Sequence, residues 1–338
     1  MEKSPKIRIV GKGSDEEKEQ AKKEIRQALF NHFQSLPPEE QKLLRKLEYP
    51  KSEIELVLIN FANKETSLLM QEAGIEPYNI STENYHLLPP ELYERFVGKT
   101  QTRGVTSYTK QGILLNAEHF RDNPVNFGAT VLHETLHLKS HFSVKLQEKN
   151  GAAYYRAGIS SFHTLQQFGY KGYHEHFRGL HEAIVTETGK RLLKKMLELP
   201  ELEKEKNWLE SDEAKAAKRK LAEEKQIAED DIIWIDKNDI NNWEVIPYLQ
   251  QRAVLTYLCS EIQKEFSKQY KNHDDVYELF LKAHFTGKLL EIARLIEKTF
   301  GKGSFRMVGN MTDDPESGIL HLESLKKARI RQIKEKII

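Results

Sequence analysis

The sequence predicts an α+β protein whose strands lie mainly in the first half of the chain and whose second half is helical. The run IELVLINFAN at residues 54–63 is rich in β-branched and apolar side chains, which favours a buried strand. Residues 104–116, GVTSYTKQGILLN, alternate in polarity around a turn at 110–112 and predict a β-hairpin. From about residue 177 onward, apolar residues recur at helical spacing and strand signals fade.

The domain organisation follows from the same patterns. We expect a helical N-terminal extension over residues 1–50 and a C-terminal amphipathic helix over 311–338. The main domain, 51–310, divides into a β-containing lobe at about 51–165 and a helical lobe at about 166–310. The individual elements expected besides the strand and hairpin are a helix at 15–35, a helix ending at Gly74, a short strand at 153–160, a charged helical region at 199–231, and helices at 179–199, 247–266, 274–285 and 288–300.

Composition excludes several classes of protein. The 52 basic and 51 acidic residues leave a net charge of only +1 over 338 residues, so no global field points to nucleic acid as a partner. A single cysteine, Cys259, rules out an intramolecular disulfide and a cysteine-built zinc site. Neither a secretory signal nor an apolar run of ~18 residues is present in the sequence, so we expect a cytoplasmic protein with no membrane partner.

The segment VLHETLH at 131–137 carries the strongest chemical signal. Asp122 or Asn123 can cap a helix that Pro124 opens, which places the segment on that helix. His133 and His137 are four residues apart and therefore project from the same strip of the helix. Two imidazoles in that arrangement can bind one zinc ion at ~2.0–2.1 Å.

Glu134 occupies the position of a general base. It lies about 100° round the helix from His133, close enough to contact a metal's water without acting as a ligand. Zinc lowers the pKa of bound water from ~15.7 towards ~7, and a nearby carboxylate can take the proton as the water attacks a peptide carbonyl. A chance match to H-E-x-x-H in a chain of this composition has an expectation of about 0.06, so context must support the motif.

The third ligand must come from another part of the chain. His141 extends the histidine row, but about 12 Å along the helix axis from His133, which is too far for one ion to reach both ends. The longer pattern H-E-x-x-H-x-x-G-x-x-H is excluded, because residues 140 and 143 are both serine. A second His-Glu pair occurs in GLHEAIVTE at 179–187.

With these two motifs the chain resembles the gluzincin zinc metallopeptidases, especially the compact minigluzincin-like ones, over roughly residues 50 to 310. In that family H-E-x-x-H is followed by a glutamate ligand on a later helix, in a pattern like N-E-A-x-T-E. The resemblance implies Glu182 as the third zinc ligand, with Glu187 as the rival. His181 replaces the usual asparagine, and the Thr186-Glu187 pair stands one residue further on than usual.

The resemblance also implies a fold and an activity. The fold would be zincin-like, with a small mixed or antiparallel sheet over the metal helix and a helical lobe below it. The activity would be hydrolysis of a peptide or protein substrate with one zinc ion, and an extended peptide would pair with the edge of the 104–116 hairpin. Tyr248 is the first choice as donor to the oxyanion; the alternatives are Tyr170, Tyr173, His174 and His176.

Two other functions remain open at the level of sequence. One is a catalytically silent zinc-binding scaffold, against which the presence of Glu134 argues, since a structural site needs no base. The other is a helical interaction module that binds partners through the charged region 199–231 or the basic C-terminal tail.

Overall fold

The computed structural model describes residues 8–11, 14–30, 37–98, 102–108, 111–146, 154–164 and 173–337. Within them the chain is a mixed α+β protein, mostly helical with small sheets, which confirms the predicted class. The helices are α1 (Asp15–Phe30), α2 (Pro38–Leu47), α3 (Glu53–Glu72), α4 (Pro90–Val97), α5 (Pro124–Lys139), α6 (Arg178–Met196), α7 (Glu203–Leu209), α8 (Asp212–Lys225), α9 (Leu249–Glu265), α10 (His273–Thr286), α11 (Leu290–Phe300), α12 (Ser304–Gly309) and α13 (Pro315–Ile337). The strands are β1 (Arg8–Gly11), β2 (Tyr85–Leu88), β3 (Gly104–Ser107), β4 (Gly112–Asn116), β5 (Phe142–Leu146), β6 (Tyr154–Ala157), β7 (Ser160–Thr164), β8 (Tyr173–His176), β9 (Ile232–Ile235) and β10 (Trp243–Val245).

The described strands form three small sheets. A three-stranded sheet has the order β2-β4-β3, with β2 parallel and β3 antiparallel to β4. A five-stranded sheet is an antiparallel meander of β5 to β8, to which β1 adds in parallel beside β5. β9 and β10 make an antiparallel ribbon. The two strands of the hairpin predicted at 104–116 are observed as β3 and β4, which pair antiparallel, whereas residues 109–110 of its turn lie outside the described residues. The strand predicted at 153–160 is observed as β6, which ends at residue 157, and residue 160 begins β7; residue 153 lies outside the described residues.

The predicted strand at 54–63 is wrong, because these residues belong to helix α3. Ser52 and Glu55 form a capping box at its start: the Ser52 backbone N–H donates to Glu55 Oε2 at 2.7 Å, and the Ser52 hydroxyl accepts from the Glu55 N–H. Leu58, Ile59 and Ala62 are fully buried at helical spacing. The apolar run is therefore a buried helical face, and the capping box was the local signal that distinguished it from a strand.

Three other segments differ in part from the predicted pattern. The β9–β10 ribbon interrupts the helical second half, and β1 lies in the region expected to be a helical extension. The helix predicted at 15–35 is described as α1 up to residue 30, and 31–36 lie outside the described residues. The predicted C-terminal helix is observed as α13.

Helices α5 and α6 pack closely at the centre of the main hydrophobic core. A Cβ built at Gly128 of α5 would lie 2.5 Å from Sδ of Met196 in α6, so the glycine permits this approach. Val125, Leu132 and Leu136 of α5 are fully buried. Among the described helices, none has the length and apolar character needed to cross a bilayer.

Candidate metal centre

Helix α5 positions the two histidines. Its first turn is capped by Asn123, whose side chain accepts from the Asn126 N–H at 2.9 Å, and Pro124 occupies the first position, as predicted. The buried residues of α5 fix the rotation of the helix, so that His133 lines a cleft beside the core and His137 lies one turn further along the same side. His137 is buried and His133 is partly exposed.

Glu182 of α6 meets the histidine pair from the facing helix. The distances are 3.1 Å between the two histidine Nε2 atoms, 3.3 Å from Glu182 Oε2 to His137 Nε2, and 3.4 Å from the same oxygen to His133 Nε2. These three side chains form the metal-competent group found among the described residues. The structure therefore brings together the two histidines and the glutamate expected as third ligand.

The dimensions of this triangle fit a tetrahedral zinc site. Bonds of ~2.0–2.1 Å at tetrahedral angles place neighbouring ligand atoms about 3.3 Å apart, which matches all three measured edges. The donor set of two imidazoles and one carboxylate is one that zinc accepts in catalytic sites. Both the chemistry and the spacing of these side chains therefore suit zinc.

The same atoms interact as an ion pair. The pKa of Glu182 lies well below its usual range: burial would raise it, but the charge of His137 and hydrogen bonds from both histidines outweigh burial. The pKa of His137 is raised: burial would lower it, but the charge of Glu182 and a hydrogen bond to it outweigh burial. The fold thus concentrates negative charge on Glu182, where a cation would bind.

Tyr108 orients His137 from the other side of its ring. The Tyr108 hydroxyl lies 3.1 Å from His137 Nδ1, and the Tyr108 ring stacks on Phe142 at 5.8 Å between centroids. A hydrogen bond from Nδ1–H to this oxygen would fix the ring orientation and leave Nε2, which faces Glu182, as the atom that can give up its proton and bind a metal. Sequence reasoning missed this residue, although it directly follows β3.

A neutral layer of histidines lies behind His137. The His181 ring packs edge-on to His137 at 4.9 Å between centroids, and His284 packs on His181 at 5.1 Å. Burial lowers the pKa of His284 to about 3 and also lowers that of His181, so both rings are uncharged at neutral pH. The carbonyl of Leu136 accepts from His284 Nε2 at 3.2 Å. This layer supports His137 without adding positive charge.

Glu134 lies next to the ligand group but outside it. Its side chain is buried, and its Oε2 accepts a hydrogen bond from the Thr106 hydroxyl at 2.7 Å. Gly104 makes room for the carboxylate, because a Cβ there would lie 2.9 Å from Thr130 Cγ2 and 3.2 Å from Glu134 Oε1. Strand β3 therefore holds a carboxylate beside the ligand triangle.

The rival ligand Glu187 lies elsewhere on α6. It binds Arg252 at 3.0 Å and Arg191 at 3.3 Å. His141 is also apart from the ligand group: its backbone N–H donates to the His284 carbonyl, and its ring packs against Gly287. Neither side chain joins the metal-competent group within the part of the chain that the structure describes.

Tyr248 stands at the start of α9 and borders the cleft. Its φ of +59° is a left-handed conformation that is uncommon for tyrosine, and its ring stacks on His133 at 6.2 Å between centroids. Burial and the charge of Glu182 raise the pKa of its hydroxyl. Among the alternatives, Tyr170 lies outside the described residues, the side chains of Tyr173 and His174 are not described, and His176 lies on β8.

A cleft of about 390 Å³ opens beside His133 and Glu134. Its walls come from α5, α6, the start of β3, strand β9 and the end of β10 with the segment that follows it. The lining includes the apolar side chains Leu193, Ile233 and Ile246. The cleft thus combines polar groups with apolar side chains, as small-molecule and peptide sites commonly do.

No known protein family, curated protein or solved structure matches this chain.

Proposed function

We propose that the protein is a zinc-dependent peptidase with a zincin-like fold and a gluzincin-type ligand set. His133, His137 and Glu182 hold the metal, and Glu134 is the general base. The observation that carries the proposal is the triangle of ligand atoms with edges of 3.1–3.4 Å, next to a buried carboxylate that takes no part in it. A purely structural metal site needs the triangle but not the additional carboxylate.

Zinc bound at this site supplies Lewis acidity, which lowers the pKa of water and polarises a carbonyl. Glu134 provides the proton transfers: it takes a proton from the attacking water and gives it to the departing amine nitrogen. Because Oε2 of Glu134 accepts from Thr106, Oε1 is the oxygen left to receive the proton. The Thr106 hydroxyl fixes the direction of the carboxylate.

Tyr248 is the proposed donor to the negative charge that develops on the carbonyl oxygen. The raised pKa of its hydroxyl keeps it protonated at neutral pH, as a donor must be. Its ring stacks on His133 and lines the cleft. The left-handed backbone at residue 248 is a strained conformation of the kind found at functional sites.

Strand β3 is the proposed platform for the substrate. It is the edge strand of its sheet and packs against α5 beside the metal-competent group. An extended peptide that pairs with this edge would place a backbone carbonyl near His133 and Glu134. The substrate class we propose is accordingly a peptide or an unfolded segment of a protein, rather than nucleic acid or a membrane component, and the proposed compartment is the cytoplasm.

The test combines metal content with turnover. Purified protein should contain about one zinc ion per chain by metal mass spectrometry, and it should cleave members of a mixed peptide library. Glu134→Gln should keep the zinc and lose cleavage by a factor of about 10³ or more. His137→Ala should lose the zinc.

Glu187→Gln is the matched control. Glu187 lies on the same helix as Glu182, but its carboxylate contacts Arg252 and Arg191 and not the two histidines. It should keep both zinc and activity. Protein that retains zinc yet cleaves no peptide would identify a silent zinc-binding scaffold. Protein that binds no zinc would overturn the proposal altogether.

A further inference from the structure

A second concave surface lies away from the metal-competent group, between helices α10 and α11. It encloses about 570 Å³. The residues that line it are three or four positions apart along each helix, so they lie on one face of that helix. Its floor is aliphatic: Leu279 and Ala283 come from α10, and Ile292 and Leu295 from α11. We call this surface the α10–α11 groove.

The rim of the groove is basic. Lys282, Lys288, Arg294 and Lys298 surround it, with Glu291 as the acidic member, so the rim carries a net charge of +3 (four cations minus one carboxylate). The whole chain has a net charge of only +1. A large local excess of positive charge is therefore concentrated around one cavity.

These four cations lack ion-pair partners among the described residues. Some cations elsewhere on the surface are paired, as Lys206 is with Glu198 and Arg191 is with Asp274. All four side chains of the rim are exposed, so each can reach a ligand without breaking an existing contact. Among the described residues that line the groove, Glu291 is the one carboxylate that an anionic ligand would meet.

Leu290 adds an apolar contact at the edge of the groove. It is 62% exposed, as much as any large hydrophobic residue described in the chain. An exposed leucine beside an aliphatic floor needs an apolar partner to leave water. Phosphate or nucleic acid would pair with the cations but would leave these apolar side chains in water. Single-stranded nucleic acid also needs aromatic side chains on which its bases stack, and Tyr270 is the one aromatic residue among the described residues that line the groove.

We propose that the α10–α11 groove binds an acidic amphipathic peptide segment of a partner protein. The segment would place aliphatic side chains on the floor and against Leu290, while its carboxylates face the four cations. Recognition of this kind follows the helix-in-groove mode, with charge complementarity setting the orientation and the rate of association. The inference does not depend on metal binding or on peptidase activity.

The experiment measures binding of a fluorescein-labelled peptide of about 14 residues, some four helical turns, to the full-length protein by fluorescence anisotropy. The peptide carries leucines at helical spacing and glutamates between them. The double variant Lys282→Glu/Arg294→Glu should weaken binding about tenfold or more, and raising the salt concentration should weaken binding to the wild type. Leu290→Ser should weaken binding by a smaller factor, about threefold.

The matched control is Lys204→Glu/Arg219→Glu, which makes the same change of charge at exposed positions of α7 and α8. Binding should be unchanged in this variant. Equal weakening by both double variants, or no binding by the wild type, would overturn the proposal. Tighter binding of a single-stranded oligonucleotide than of the acidic peptide would also overturn it, in favour of a nucleic-acid surface.

Discussion

The Thr106 hydroxyl lies 2.7 Å from Oε2 of Glu134 and 2.9 Å from the backbone oxygen of the same residue. Strand β3 and helix α5 are thus joined at the carboxylate that we assign as the base. A hydroxyl that donates to a charged group contributes more than a neutral hydrogen bond, about 1.5–3 kcal/mol. The orientation of Glu134 should therefore depend on this contact.

We expect Thr106→Val to lower kcat about tenfold or more while zinc content stays unchanged, because the carboxylate loses its directing donor. Steady-state kinetics with a cleavable peptide, together with metal analysis, would measure this. Thr106→Ser keeps the hydroxyl and should retain most of the activity. A normal kcat in the valine variant would show that Glu134 is held by other contacts.

Tyr108→Phe tests the support of His137. Removing the hydroxyl leaves Nδ1 of His137 without its partner at 3.1 Å, so zinc affinity should fall about tenfold, within the range seen when such supporting contacts are removed. Competition with a chelator of known affinity would measure the change. Tyr85→Phe is the control, because its hydroxyl binds Thr135 on α5 and not a ligand. Equal losses in the two variants would point to a general effect on α5.

Gly189 borders the cleft from the middle of α6, where its backbone needs no glycine. Among the described residues, a Cβ at this position would find only Leu136 Cδ1, at 4.0 Å, within contact distance. Gly189→Ala should therefore raise the free energy of unfolding by about 0.5–1 kcal/mol, since alanine favours a helix. Denaturant unfolding would measure this, and destabilisation would mean that the position is more crowded than the structure indicates.

The same position should control substrate size. Gly189→Leu would fill part of the cleft, so kcat/KM should fall for peptides with a bulky side chain near the cleaved bond and should be unchanged for peptides with glycine there. Paired peptides that differ at one residue would test this. A uniform loss across both peptides would place the cleft outside the substrate's path.

The lowered pKa of Glu48 predicts how the free energy of unfolding changes with pH. Burial raises its pKa, but a hydrogen bond and charge interaction with His86, together with Lys51, outweigh burial and lower the pKa overall. A carboxyl with a lowered pKa in the folded state stabilises the protein above its unfolded pKa, and this contribution disappears as pH falls through the folded pKa. Glu48→Gln should therefore cost about 1 kcal/mol at pH 7, with the deficit shrinking below pH ~4.5. A deficit that is constant with pH in urea unfolding would contradict this.

The sequence predicted α5 well because its signals are local. Asn123 and Pro124 mark the first turn, and the spacing of His133 and His137 depends only on helix geometry. The prediction of Glu182 as the third ligand depended on a second motif, because neither segment alone specifies how α5 packs on α6. Contacts that cross between elements, such as those of Thr106 and Tyr108, follow from the position of β3 and could not be derived from spacing.

The secondary-structure predictions that were wrong or missing also have specific causes. Residues 54–63 have the composition of a strand, but the capping box at Ser52 and Glu55 starts a helix, and periodicity alone does not separate the two in a short apolar run. The β9–β10 ribbon was missed because its strands are only four and three residues long. The run IIWI at 232–235 carries β-branched and aromatic side chains, and this signal could have identified β9.

The close approach of Gly128 and Met196 means that apolar packing helps to dock the two helices that carry His133, His137 and Glu182. If the proposed zinc ion binds there, the chain should keep the spacing of these three side chains after the metal is removed, and it should take up zinc again without refolding.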